Sequence, residues 1–269
     1  MEKLNVKNLW PGIVIVAVVF LMGSNAAFAG ISVKPTVIEK VMDAGKSETE
    51  YYTLTNDGDV KLTVRIETED WMARLFGRPD DMKVEDWLEI EPKEITLDPK
   101  QTAKIKYTVT APKIFLNEKV AQVFFRYQEA EYLEARVGVI FYLMPKGRET
   151  LSAEMTRFSA KQTKKETGVP VLSLSVAIKN NSNFHIRTPG FVEIYDKTQR
   201  KVIKTLDVDR VPGIYAGKTF EFDYEFPNEV IPEGDYQVTL KLNYGSVYGK
   251  NIFMEKTADL EFAKEPVKP

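Results

Sequence analysis

Residues 51–66 read YYTLTNDGDVKLTVRI. Two β-type runs, Tyr51 to Leu54 and Leu62 to Ile66, flank Asn56-Asp57-Gly58-Asp59. In the second run Leu62, Val64 and Ile66 alternate with Thr63 and Arg65, the period of a strand with one buried face. Asn and Asp-Gly accept the positive φ of tight turns, so the stretch predicts a β-hairpin. The aspartates lack the twelve-residue spacing and terminal glutamate of a calcium loop, which leaves them as turn residues.

The same rhythm continues outward. Ile95 and Leu97 lead into the turn Asp98-Pro99-Lys100, after which Ala103, Ile105, Tyr107 and Val109 alternate with polar residues. Val120 to Tyr127 and Arg136 to Leu143 complete the first set of strands. Helical periodicity is nearly absent. One segment breaks the rhythm, Trp71 to Trp87, which reads as a long excursion between strands with room for one helical turn. Trp87 runs into Leu88 and Ile90 and reads as core; Trp71, Leu75 and Phe76 fit a core or an interaction surface equally.

Met144-Pro145-Lys146-Gly147-Arg148 is the best domain boundary, because proline and glycine end the last strand before a new set begins. Val171 to Ile178, Phe191 to Tyr195, Lys201 to Leu206, Thr219 to Phe226, Tyr236 to Tyr244 and Lys256 to Phe262 form that second set. Asn180-Asn181-Ser182-Asn183 and Asp196-Lys197-Thr198-Gln199 supply turns. Tyr236, just after Pro232-Glu233-Gly234-Asp235, stands where a tyrosine corner places its hydroxyl on local backbone. Short strands at regular spacing predict an all-β fold of two consecutive immunoglobulin-like β-sandwich domains. The expected limits are 30–146 and 147–264, with a polar tail at 265–269.

Residues 1–29 read as an export signal: Lys3 and Lys7, an apolar run from Ile13 to Met22, then Ala27-Phe28-Ala29 as a cleavage site. The run is shorter than the roughly 20 apolar residues of a spanning helix. The alternative is an uncleaved anchor beginning near Leu9. Cleavage after Ala29 predicts a protein exported to the periplasm or beyond the cell. The chain carries a net charge of −2 and no cysteine. Losing Glu2, Lys3 and Lys7 with the signal leaves −3, a poor match for nucleic acid. Without disulfides, each domain depends on its own core.

Catalytic chemistry finds little support. His185, the single histidine, has no nucleophile elbow to serve and reads as an anchor for the turn before a strand. The acidic residues Glu67 to Asp86 single out no pair, and glycine-rich phosphate loops are missing. No cofactor, metal or catalytic residue is predicted. The most suggestive element is Arg136 to Leu143, where Val137, Val139, Phe141 and Leu143 project one way and Gly138, Ile140 and Tyr142 the other. A last strand apolar on both faces is buried twice or offers a face and its edge to a partner.

These residues resemble a known family. Ile31-Ser32-Val33-Lys34-Pro35-Thr36, Leu54-Thr55-Asn56-Asp57, Leu97-Asp98-Pro99-Lys100-Gln101-Thr102 and a last strand ending at Tyr142 to Pro145 are similar to the amino-terminal domain of PapD-like periplasmic pilus chaperones. In a broader set of exported two-domain bacterial proteins, the second domain carries a pattern like Asn183, His185, Arg187 and Gly190. The resemblance implies a chaperone that adds its last strand to the incomplete sandwich of a pilus subunit. It also implies a basic pair for the subunit's carboxylate, but Val37 and Ile140 stand at those positions, with Lys34 and Arg136 as nearby cations. The expected partner-binding residues are therefore Arg136, Gly138, Ile140, Tyr142 and Lys34. A chaperone-like protein assisting assembly of surface fibres is the leading expectation; an adhesion or envelope-binding module is the alternative.

Overall fold

The turn at Asn56 to Asp59 joins two strands of different sheets. In the computed structural model, which describes residues 30–77, 80, 82–130, 133–164, 168–209 and 212–263, β3 (Ser47–Asn56) and β4 (Leu62–Asp70) do not pair. The expected hairpin is instead a corner that carries the chain from one layer of a sandwich to the other. Asn56 makes the corner. Fully buried, it donates from Nδ2 to the carbonyls of Val60 (2.7 Å) and Asp98 (3.1 Å) and accepts Gly58 N–H at 3.0 Å. A two-residue hairpin turn has no use for such a side chain; an inter-sheet crossing needs one, because its buried carbonyls have no ladder partner.

The other strands of the first unit are β1 (Ile31–Lys34), β2 (Val37–Met42), β5 (Leu88–Glu91), β6 (Glu94–Leu97), β7 (Thr102–Thr110), β8 (Lys119–Ala130) and β9 (Leu133–Pro145). They form a four-stranded sheet, β1-β3-β7-β5, facing a five-stranded sheet, β2-β9-β8-β4-β6. The stretch Ile31–Thr36 holds β1, which ends at Lys34, and β2 begins just after it at Val37 in the other sheet. Inward rows from both layers meet in one core: Tyr52, Leu54, Val64, Trp87, Ile105, Phe125 and Phe141 are among its fully or almost fully buried members. Trp71–Phe76 forms α1, the helical turn expected within the excursion, capped by the Asp70 carboxylate on Ala73 N–H and ended by Gly77 at φ 61°.

The second unit holds β10 (Ala153–Lys164), β11 (Pro170–Asn180), β12 (Gly190–Asp196), β13 (Lys201–Val208), β14 (Thr219–Pro227), β15 (Tyr236–Asn243) and β16 (Phe253–Phe262). Its strands run β13-β12-β15-β16-β10-β11-β14, one sheet curled around its own core through the parallel β10–β16 pairing. The two sandwiches are built as the strand spacing predicts. β10 was not legible, since a register shift between Met155 and Arg157 breaks its alternation. Tyr236 opens β15 with its ring buried, but its hydroxyl lies over Gly234 and makes no hydrogen bond among the described residues. The tyrosine corner is present as packing and absent as a hydrogen bond. The signal proposed for residues 1–29 and the tail 265–269 lie outside the described residues. No helix among the described residues is long and apolar enough to cross a membrane.

Candidate functional site

β9 changes character along its length. From Ile140 to Leu143 it lies between β8 and the parallel strand β2, which it follows on to Pro145, with Ile140 N–H donating to Thr36 C=O at 3.2 Å. From Leu133 to Val139 it pairs with β8 alone among the described residues. Backbone groups of alternate residues point the same way, so the orientation of Ile140 places the N–H and C=O of Arg136 and Gly138 on the unpaired side. On the inner face, Leu133 is exposed while Ala135 and Val137 are half-buried against the core. The outer face carries Arg136, whose guanidinium stacks on Phe124 at 4.2 Å, and Gly138. A Cβ at 138 would press on the Gln122 side chain and the Phe124 ring, so this position favours glycine.

Below Val139 both faces of β9 are covered, and the second unit supplies the outer cover. Val120, Tyr142 and Met144 form a buried cluster with Val37, Val41, Ile140, Trp71 and Met72 on one side and Tyr215, Val247 and Tyr248 on the other. α1 reaches across as well: Phe76 meets the Tyr215 ring edge-on at 5.4 Å, and Lys218 Nζ sits 4.5 Å above Phe76. Of the three apolar residues left open in the excursion, Trp71 and Phe76 belong to this junction, and Leu75 is exposed.

A charged cluster lies beside the apolar one. His185 is fully buried; its backbone N–H donates to Glu118 Oε2 at 3.0 Å and its Nδ1 pairs with Glu118 Oε1. Its Nε2 lies 3.1 Å from Glu39 Oε1, which also accepts from Arg187 Nε. The Tyr142 ring stacks on the imidazole at 3.8 Å and 21°, and Tyr248 O–H donates to His185 C=O at 2.8 Å. Burial alone would lower the His185 pKa, but the Glu118 and Glu39 carboxylates outweigh it and raise the ring to about 9. Burial pushes Glu39 upward, yet its hydrogen bonds to His185 and Arg187 prevail and hold it below the usual carboxylate range. Burial also raises the Tyr142 and Tyr248 hydroxyls, so both stay neutral.

The five sequence-predicted residues therefore separate. Arg136 and Gly138 stand on the free edge. Ile140 lies in the junction, and Tyr142, 1% exposed, is stacked between the units and closed to a partner. Their apolar outer row is explained by the second sandwich covering it. Val37 and Ile140, matched to the basic pair of the resembled family, are direct partners on β2 and β9, and both pack in that cluster. Lys34 is exposed at the end of β1, two residues before Thr36, where the free edge closes. Sequence reasoning missed Leu133 and Ala135, because it began the strand at Arg136, and it named Val137 in the strand without counting it among the partner-binding residues. It placed His185 in a turn, whereas the side chain bridges the units through residues far away in the chain. A lone histidine between Phe184 and Ile186, both buried, was the available signal.

No family model matches the chain, and no curated protein matches it. Solved structures do. One is the CsuC–CsuE chaperone–tip adhesion subunit pre-assembly complex from archaic chaperone–usher Csu pili of Acinetobacter baumannii, at 12% identity and TM-score 0.42, covering 88% of this chain and 100% of that one. Another is the E. coli chaperone DraB, at 14% identity and TM-score 0.41, covering 87% and 97%. A third is the class 5 fimbriae chaperone CfaA, at 16% identity and TM-score 0.40, covering 85% and 98%.

Proposed function

We propose that this is an exported, chaperone-like binding protein that captures an extended segment of a protein partner on the free edge of β9, in the service of assembling surface fibres. One observation carries the reading: among the described residues Leu133–Val139 is hydrogen-bonded on one side only, with a partly exposed apolar row, Leu133, Ala135 and Val137, on its inner face. An open strand edge is a template for strand addition, in which backbone bonds give affinity and alternate side chains give selectivity. An added strand would run in line with β2 and end against Thr36, close to Lys34. A pilus subunit is the partner that the sequence resemblance implies. Since Val37 and Ile140 are apolar and covered, its carboxylate would have to meet Lys34 or Arg136 rather than a basic pair inside the junction.

The test removes a single backbone donor. Arg136→Pro deletes the outward N–H while leaving the β8 ladder intact, because proline is tolerated where its missing N–H faces an open edge. Arg136→Ala removes the same side chain and keeps the N–H. Co-expressed with a pilus subunit of the same genome, the alanine variant is expected to co-purify with it and the proline variant to lose it, both remaining folded. A proline variant that captures the subunit as the parent does would overturn strand addition at this edge. Capture lost equally in both variants would transfer the role to the guanidinium.

A further inference from the structure

The junction contains one arrangement that the capture of a strand does not require. Both nitrogens of the His185 ring face carboxylate oxygens, Glu118 Oε1 at Nδ1 and Glu39 Oε1 at Nε2. An ionised carboxylate only accepts hydrogen bonds, and a neutral imidazole has one donor and one lone pair. A neutral ring would therefore aim its lone pair at one of the two carboxylates, and the His185 side chain itself has no exposed surface. We propose that His185 is a buried cation, protonated on both ring nitrogens, and that docking of the second sandwich on the first is coupled to retention of that proton.

The surroundings agree from every side. Glu118, on the segment leading into β8, holds the backbone N–H of His185 as well as its ring, so it grips the residue at two points. Glu39 comes from β2 and shares one oxygen between His185 and Arg187. Two carboxylates and two cations make the cluster neutral with the proton and leave it one charge negative without. The Tyr142 face from β9 lies flat on the ring, a position that favours a cation. Tyr248 binds the His185 carbonyl, and Tyr215 stands beyond Tyr142; both hydroxyls are neutral and contribute no competing charge. Glu149, paired with Lys250, adds its charge near Tyr248.

Each cited contact crosses from one unit to the other except Tyr248 with His185 and Lys250 with Glu149, which stay within the second unit, so the proton belongs to the docked arrangement and not to either sandwich alone. The sign follows from the raised pKa. The contribution is fully present below the unfolded value of about 6.5 and is lost as pH rises through about 9. On the acid side Glu39 is held low, so the junction also weakens as pH falls through the carboxylate range.

His185 is the only histidine, so its ring signals in a nitrogen-15-labelled sample are unambiguous. In the intact protein at pH 7, both ring nitrogens are expected to carry protons, whereas an unperturbed ring would be only about one-quarter protonated. Raising the pH should remove one proton with a midpoint near 9. Small-angle X-ray scattering should show the molecule lengthening with the same midpoint, while circular dichroism shows both β-sandwiches still folded. Glu118→Gln removes one facing charge and should lower that midpoint; if the variant does not fold, the parent titration decides alone. A singly protonated ring at pH 7, or a molecular shape that stays fixed after the proton leaves, overturns the proposal.

Discussion

The corners of the two sandwiches can be superposed residue for residue in their hydrogen bonding. In the first unit Asn56 N–H donates to Gln101 C=O at 2.9 Å, and its side chain binds the carbonyls of Val60 and Leu97, with Asp98 C=O as an additional acceptor. In the second, Asn180 N–H donates to Lys218 C=O at 2.9 Å, and its side chain binds the carbonyls of Phe184 and Ile214. Gly58 and Ser182 N–H return to the two asparagine side chains. Even the left-handed positions correspond, Lys100 at φ 62° and Gly217 at φ 69°. The difference is confined to what the corner displays. The residue after the bound carbonyl is Lys61 in one and His185 in the other; Asp98 has Tyr215 as its counterpart. Lys61 and Asp98 form an ion pair in solvent at 2.9 Å, both about two-thirds exposed. His185 and Tyr215 are the heart of the junction. One scaffold thus ends in water or in a docking face, according to two side chains.

The largest effect is expected from breaking the docking corner. His185→Leu keeps the bulk and leaves Glu118 and Glu39 without their shared cation. Removing one partner of a buried ion pair costs about 3–5 kcal/mol, because the remaining charge stays desolvated. Denaturant titration should show that loss in the second unit's transition. Hydrogen exchange should show the junction opening while the β3–β7 ladder of the first unit keeps its protection. A variant as stable as the parent would mean that the imidazole is not bearing the charge pair.

A smaller and matched effect is expected from the shared scaffold. Asn56→Ala and Asn180→Ala each leave buried carbonyls without a donor, at about 1–3 kcal/mol for each such group. The two substitutions should cost similar amounts, each in its own unit. Only Asn180→Ala should also disturb the His185 ring signals, because Asn180 holds the carbonyl of the neighbouring Phe184. Unequal costs with equal effects on the ring would dissolve the equivalence of the corners.

What was legible in the sequence follows the range of the interactions. Alternation such as Leu62-Val64-Ile66 and Ile105-Tyr107-Val109 reports the nearest neighbours, and it located strands and the two-sandwich class. It did not show that Asn56 turns a supposed hairpin into a crossing, because that depends on a carbonyl at Asp98, on another strand's turn. The apolar outer face of β9 was read from the sequence; from Ile140 onward it is covered by the second unit, while from Leu133 to Val139 the strand pairs with β8 alone among the described residues. Where one stretch gives way to the other depended on where β2 begins to pair. His185 was the hardest to read: Glu39 and Glu118 lie among many acidic residues, and nothing local marks them as its partners. The Tyr236 hydroxyl shows the opposite failure. A local motif was complete in sequence, but Gly234 lets the ring lie close over the backbone without a bond being made.

The smallest effect should come from the solvent corner, and it is the sharpest check on the comparison. Lys61→Ala removes the partner of Asp98 at the position where the second unit has His185. Both side chains are hydrated, so no charge is left stranded when one is removed. Holding two mobile side chains together also opposes the Coulomb gain, which salt screens further. The midpoint of the first unit should therefore stay within the scatter of the titration, at low and at moderate salt alike. The same chemical loss that parts the units at His185 then has no consequence at Lys61, because burial rather than pairing sets the penalty. A clear destabilisation by Lys61→Ala would show that the first corner also has a structural duty. The contrast between a free end and a docked end would then have to rest on Asp98 and Tyr215 instead.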